Sequence, residues 1–335
     1  MTTRRIAAAF LLAAVTACSS SKTPTSTGTT STSGTGGDSP SSTASTGGTT
    51  PGTGGATTTS SSTTASGTGG TTSGTGGAAA TDGGLAGWTL AWSDEFNGPD
   101  GSGIDTTKWA AQTGGTGWGN QEREYYTSSL TNAQQSGGNL VITATTEGAA
   151  AQTCWYGQCE YTSARLQTMG LFSQEYGRFE ARIKIPRGQG LWPAFWMLGN
   201  NIDTASWPTC GEIDIMENIG KEPGIVHGSM HGPGYSGGSA LTAAYTLPAG
   251  AVVADDFHIF AVEWETGVVR FYVDSTLYET QTPADVPAGD TWVYDQPFFL
   301  LLNVAVGGGW PGDPDATTVF PQTMLVDYVR VYTKS

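Results

Sequence analysis

The 335-residue sequence predicts an all-β sandwich preceded by a long disordered linker. Three observations predict it. Composition changes abruptly near residue 85. Beyond that point, apolar and polar residues alternate with a period of two in segment after segment. Turn chemistry separates these segments, and none of them sustains an apolar period of 3.6 residues.

Residues 1–17 join a positive head, Arg4 and Arg5, to an apolar run too short to span a bilayer, the form of a secretory signal. Small residues lead directly into Cys18, and a polar segment follows. This order resembles a bacterial lipobox. It makes Cys18 the expected lipidated first residue of an exported lipoprotein, held at the cell surface or outer membrane; plain secretion is the alternative. Residues 18–84 are nearly all Ser, Thr, Gly, Ala and Pro, with Lys22, Asp38 and Asp82 as their ionisable side chains and no aromatic. Such a segment cannot bury enough apolar surface to offset its ordering entropy. It reads as a flexible tether of roughly 65 residues, with an end-to-end distance on the order of 40–50 Å.

Residues 85–335 hold all 34 aromatics except Phe10. They carry 11 Lys and Arg against 27 Asp and Glu, a net charge of −16. Nucleic acid is excluded as a partner, because its binding requires a basic face that releases counterions. An acidic domain rich in Trp and Tyr suits a neutral, hydroxylated ligand.

The strands follow in order. "GNLVITATT" (138–146) and "YGRFEARIKIP" (176–186) alternate, and "FHIFAVEWETGVVRFYVD" (257–274) is a hairpin turning at Thr266-Gly267. "PFFLLLNVAVGG" (297–308) is a continuous apolar run, a strand buried on both faces. "TMLVDYVRVYT" (323–333) closes the domain. Cys154 and Cys159 in "CWYGQC" are close enough to close a small disulfide loop in an exported protein. Cys210 is left over, either as a buried free thiol or as an alternative partner. The cysteines and the three histidines show no zinc spacing.

"GEIDIME" (211–217) also reads as a strand, since Ile213 and Ile215 alternate with acids. Residues i and i+2 of a strand share a face, so Glu212 and Asp214 point the same way. The next position on that face is Met216, and the glutamate comes one residue later. Glu217 returns to the face of the other acids only across a β-bulge, a feature common beside active sites. Glu212 and Glu217 are then the equivalent of four strand positions apart, about 13 Å at Cα. Side chains leaning along the strand bring the carboxyl groups to about 5–6 Å, against about 5–5.5 Å for a retaining glycosidase. Asp214 between them would hold and tune a neighbouring carboxyl. A solvated or calcium-binding strand face is the alternative reading of such a triplet.

"WPTCGEIDIME" resembles the active-site signature of glycoside hydrolase family 16. The extra residue before the last glutamate resembles its laminarinase (endo-β-1,3-glucanase) branch; lichenases carry a shorter E-x-D-x-E. "WSDEFNG" (92–98), "GNQEREYYT" (119–127), "YTSARLQT" (161–168), "GLWPAFWML" (190–198), "NVAVGGGWPG" (303–312) and "VDYVRVY" (326–332) resemble further family segments in the same order. The resemblance implies a concanavalin-like β-jelly roll of two curved antiparallel sheets with a glycan cleft on the concave face. It implies Glu212 as nucleophile, Glu217 as acid/base and Asp214 as the assisting carboxylate, with no cofactor for catalysis. The implied partner is a β-glucan, and a monomer is expected. Mixed-linkage β-1,3-1,4-glucan and transglycosylation use the same triad, and a glucan-binding surface module is the rival from another class.

Trp192, Trp196 and Trp207 are candidates to line the cleft, because sugar faces stack on aromatic rings; core packing is the alternative for each. The resemblance adds Asn120, Arg165 and Trp310 as subsite candidates and Glu122 as a residue of cleft shape or sugar contact. It also places His231 near the acid/base side, where it would tune Glu217 or bind the next sugar. A structural Ca²⁺ is implied on the convex side, with ligands at Glu95, the Gly138 carbonyl and Asp327, all hard oxygen donors.

Overall fold

The computed structural model describes residues 85–335. The signal, Cys18 and linker readings lie outside the described residues. Two antiparallel sheets face one another. The seven-stranded sheet runs Leu241–Thr246, Ile225–His231, Glu212–Glu217, Leu191–Gly199, Phe298–Val306, Arg165–Gln167, Ala110–Gln112. The eight-stranded sheet runs Thr276–Gln281, Val268–Val273, His258–Glu265, Gly177–Lys184, Gln322–Lys334, Asn139–Ala144, Ala133–Ser136, with Trp88–Asp94 also paired to Gln322–Lys334. Together they form a jelly roll.

The period-two segments become strands for the expected reason. Each places one set of side chains in the space between the sheets, and the other set faces outward. Phe179, Ala181 and Ile183 of one sheet meet Phe195, Met197, Ile213 and Leu300 of the other in a single buried cluster that includes Trp264. All nine residues of Phe298–Val306 are buried, so this strand is covered on both faces. The hairpin turns between Glu265 and Val268, as the sequence predicts.

Leu191–Gly199 is a central strand although it contains Pro193. The Pro193 carbonyl accepts from the Asn218 N–H at 3.3 Å, just beyond the end of Glu212–Glu217. The proline's missing N–H therefore falls where the neighbouring strand is ending. A four-residue helix, Ile202–Ala205, is too short to leave a helical period in the sequence.

Cys154 and Cys159 form a disulfide, and Cys210 is a buried free thiol. The calcium reading meets a different arrangement. Both oxygens of Glu95 accept from Arg330, at 2.9 and 2.7 Å, and Asp327 accepts from Arg182 at 2.7 Å. A guanidinium beside each carboxylate opposes a divalent cation, so Glu95, Gly138 and Asp327 as arranged do not fit Ca²⁺. The sequence shows the acids but not the arginines that pair with them, which come from distant segments.

Candidate active site

The strand Glu212–Glu217 begins at a close backbone crossing. Gly211 has φ +78°, which an L side chain rarely adopts. A Cβ on Gly199 of the adjacent strand would lie 1.9 Å from the Cys210 carbonyl oxygen. These two glycines let the chain enter the strand tight against Leu191–Gly199.

The strand then bulges, as its spacing predicts. Trp196 pairs with Asp214, Phe195 with Met216 and Ala194 with Glu217, leaving Ile215 without a partner on that side. On the other side Ser229 faces Asp214 and His227 faces Glu217, so two residues oppose Gly228 alone. Met216 marks the bulge in the sequence, but Ile215 is the residue unpaired against Leu191–Gly199. Ile213, Ile215 and Met216 all enter the core. Packing of both Ile215 and Met216 inward is what returns Glu217 to the face of Glu212 and Asp214.

Each glutamate is held by an indole. Trp207 Nε1 donates to Glu212 Oε2 at 2.9 Å, and Trp192 Nε1 donates to Glu217 Oε1 at 2.9 Å. His231 accepts the Gly237 N–H on Nδ1 at 3.0 Å, so its neutral tautomer carries hydrogen on Nε2. That Nε2 lies 3.0 Å from Asp214 Oδ2 and 3.7 Å from Glu212 Oε1. Asp214 Oδ2 still lacks a well-aligned donor. His231 therefore contacts the Glu212 side, and its charge also opposes the burial that raises Glu217, the acid the resemblance implied it would tune. The histidine opposite Glu217 is His227, whose Nε2 lies 2.9 Å from Glu222.

Burial dominates the electrostatics. It pushes Glu212 up to about 8, with the Asp214 charge adding to it; His231, Arg165 and the Trp207 N–H pull the other way. Burial likewise pushes Asp214 up to about 8, opposed by its hydrogen bond with Glu212. Glu217 lies well above the usual carboxylate range, through burial first and the Asp214 charge second. Three such acids titrate as one coupled group. Burial, assisted by the Glu212 charge, also pushes the adjacent Cys210 thiol up to about 11, leaving it protonated and unreactive.

Arg165 lies between two rings, 4.7 Å from the Trp118 centroid and 4.6 Å from the Trp196 centroid, and its Nε donates to Gln112. Trp196 Nε1 donates to Asn303, Asn303 Nδ2 donates to Tyr126, and the Tyr126 hydroxyl donates to Glu122. Glu122 also accepts from Asn120 Nδ2 at 2.9 Å and is 2 % exposed. It is thus a support for Asn120 rather than a sugar contact, because its oxygens are already engaged beneath the surface. Near Glu217, Trp310 meets Trp192 edge-on at 5.4 Å and His227 at 5.0 Å.

Trp118, His227 and Asn303 escape the sequence reading. His227 carries a usable signal, since it is four strand positions from His231 and therefore shares its face. Asn303 is the one polar side chain in the apolar run Phe298–Val306. Glu212, Asp214 and His231 each place one ligand atom within 4.8 Å of the others, a set that could geometrically hold a metal. Within this set Glu212 Oε2 already accepts from the Trp207 indole.

Residues 120–330 match the profile of glycosyl hydrolases family 16. The chain belongs to glycosyl hydrolases family 16. All three acids, the indoles that hold Glu212 and Glu217, and both site histidines fall inside the family 16 match. The chain is 45% identical over 260 residues to a β-glucanase of Rhodothermus marinus, covering 73% of this chain and 85% of that one. The laminarinase catalytic domain of Thermotoga maritima is 49% identical, with a TM-score of 0.69, over 74% of this chain and 99% of that domain. The endo-β-1,3-glucanase of Pyrococcus furiosus is 49% identical, with a TM-score of 0.70, over 74% of this chain and 95% of that one.

Proposed function

We propose that residues 85–335 form an endo-β-1,3-glucanase that cleaves laminarin-type glucan with retention. One observation carries the reading. Two glutamates on one strand face, Glu217 buried and Glu212 half-buried, are each oriented by a neutral indole N–H, with Asp214 and His231 beside Glu212. The family and the laminarinases and β-glucanase of similar sequence support the substrate class.

The chemistry follows from the environments. Glu217, raised well above the usual range, keeps its proton near neutral pH. Trp192 occupies its Oε1, so Oε2 carries the proton to the glycosidic oxygen. Glu212 attacks the anomeric carbon as its carboxylate; Trp207, His231 and Arg165 favour that ionised form against burial. The Asp214 charge raises both glutamates, so a protonated Asp214 bonded to Glu212 is the state that lets Glu212 ionise. The aglycone leaves, and Glu212 holds the sugar as an ester. Glu217, now a carboxylate, removes a proton from water, which breaks the ester. Two inversions at one carbon retain the β-configuration. No step requires a metal or organic cofactor.

The test is release of reducing ends from laminarin by wild type and Glu212→Gln. Wild type should act and the variant should fall to background. Equal release by both would overturn the enzymatic reading and leave a glucan-binding module. We also read the chain as an exported lipoprotein anchored through Cys18, on the strength of the apolar run and the small residues before that cysteine. Cys18→Ser should leave the membrane fraction, and unchanged partitioning would refute the anchor.

A further inference from the structure

Residues 115–123 form a loop without strand structure, yet they carry Trp118, Asn120 and Glu122. Trp118 stacks on Arg165, and the Asn120 carbonyl accepts the Gly309 N–H at 2.9 Å, one residue from Trp310. The loop is therefore a wall of the site: inside it the Asn120 and Glu122 N–H groups donate to the Gly117 carbonyl at 2.8 and 3.1 Å, and its remaining hold comes from neighbouring segments. Behind it lies the hairpin formed by Thr153–Cys154 and Gly157–Gln158, closed by the Cys154–Cys159 disulfide.

The hairpin grips the wall at three backbone oxygens. The Trp155 N–H donates to the Gly115 carbonyl at 2.8 Å, and Trp155 Nε1 donates to the Glu122 carbonyl at 2.8 Å. The Tyr156 hydroxyl donates to the Arg123 carbonyl at 2.6 Å, and its ring lies 4.6 Å from the Arg123 guanidinium. The fit admits no larger residue. A Cβ on Gly115 would lie 2.7 Å from Cys154 Sγ, and one on Gly117 would lie 2.9 Å from the Trp155 indole. Trp155 is 51% exposed, but its one polar atom faces inward to the loop. A large ring kept at the surface with its N–H engaged in this way acts as a strut.

We propose that the disulfide-closed hairpin is a clamp, and that Trp155 and Tyr156 are positioning residues that hold the 115–123 wall in its substrate-binding form. The clamp lowers the entropy that substrate would otherwise remove when it orders the wall, so its effect falls on binding more than on chemistry. The inference rests on the glucanase reading.

The test uses the oxidised full-length chain and its Trp155→Phe, Trp155→Ala and Cys154→Ser/Cys159→Ser variants. Trp155→Phe keeps a ring but loses the donor to Glu122. Amide hydrogen exchange within 115–123 should quicken about fivefold, the worth of one hydrogen bond, and further in Trp155→Ala. KM for laminarin should rise about threefold to tenfold in the same order, with kcat within about twofold. Unchanged exchange in 115–123, or faster exchange with unchanged KM, would overturn the proposal. If the double cysteine variant does not fold, Trp155→Phe decides alone. If wild type leaves laminarin intact, the glucanase reading fails, and the exchange rates still decide whether the hairpin orders the wall.

Discussion

The two sheets treat their carboxylates in opposite ways. On the eight-stranded sheet, the strand acids other than Glu279 meet fixed positive charge. Arg178 bonds Glu180 and Glu263, Arg182 bonds Asp327, Arg330 bonds Glu95, and Lys334 and Arg270 bond Glu265. The Arg330 hydrogen bond holds Glu95 below the usual carboxylate range, and the Lys334 hydrogen bond does the same for Glu265. On the seven-stranded sheet, Glu212 and Glu217 meet indole N–H groups, and all three acids are raised. The contrast teaches what each donor is suited to. A guanidinium fixes both the position and the charge of a carboxylate. An indole N–H fixes its position and leaves its proton free to move, as acid/base work requires.

Breaking the seven-stranded side at its acid has the largest expected effect. Glu217→Gln should lower kcat on laminarin by about 10²–10⁴-fold, the usual worth of a positioned general acid. Steady-state kinetics would show it, with the far-ultraviolet circular dichroism unchanged.

Glu279 sharpens the comparison, because it lies on the eight-stranded sheet without an arginine. Burial pushes it up to about 7, and one of its oxygens has no partner. Its folded value exceeds its unfolded one, so the stability it contributes is full below about pH 4.3 and lost as pH rises through about 7. Glu279→Gln should therefore raise stability at pH 8 by up to about 3 kcal/mol and much less at pH 5. Denaturant unfolding at the two pH values checks this.

A smaller pair of effects separates the two kinds of donor. Trp192→Phe removes the N–H that lowers Glu217, so kcat/KM should fall about tenfold and the alkaline limb of its pH profile should move to higher pH. Arg330→Met should cost about 1 kcal/mol of stability or less, because its pair with Glu95 is partly exposed, and should leave kcat unchanged.

Features set by local spacing were legible in the sequence. Period-two alternation located the hairpin at Thr266-Gly267 and the closing strand, and a continuous apolar run marked the strand buried on both faces. The step from Asp214 to Glu217 announced a bulge. The short spacing of Cys154 and Cys159 suited the disulfide that the structure contains. Features set by register between distant segments were not legible. Arg330 reaching Glu95, His231 facing Glu212 with His227 facing Glu217, and Asn303 beneath Trp196 all depend on which strands become neighbours. Pro193 lies in a central strand, and only the end of the adjacent strand explains its place. The resemblance made Glu122 a candidate for cleft shape or sugar contact, while its side chain turns inward to Tyr126.

Proton NMR of the first product formed from laminarin tests the central claim most directly. A nucleophilic Glu212 and a proton-carrying Glu217 on one strand face require double displacement, so the β-anomer should appear first and mutarotate to the α-anomer afterwards. An α-anomer formed first would contradict the roles given to both glutamates.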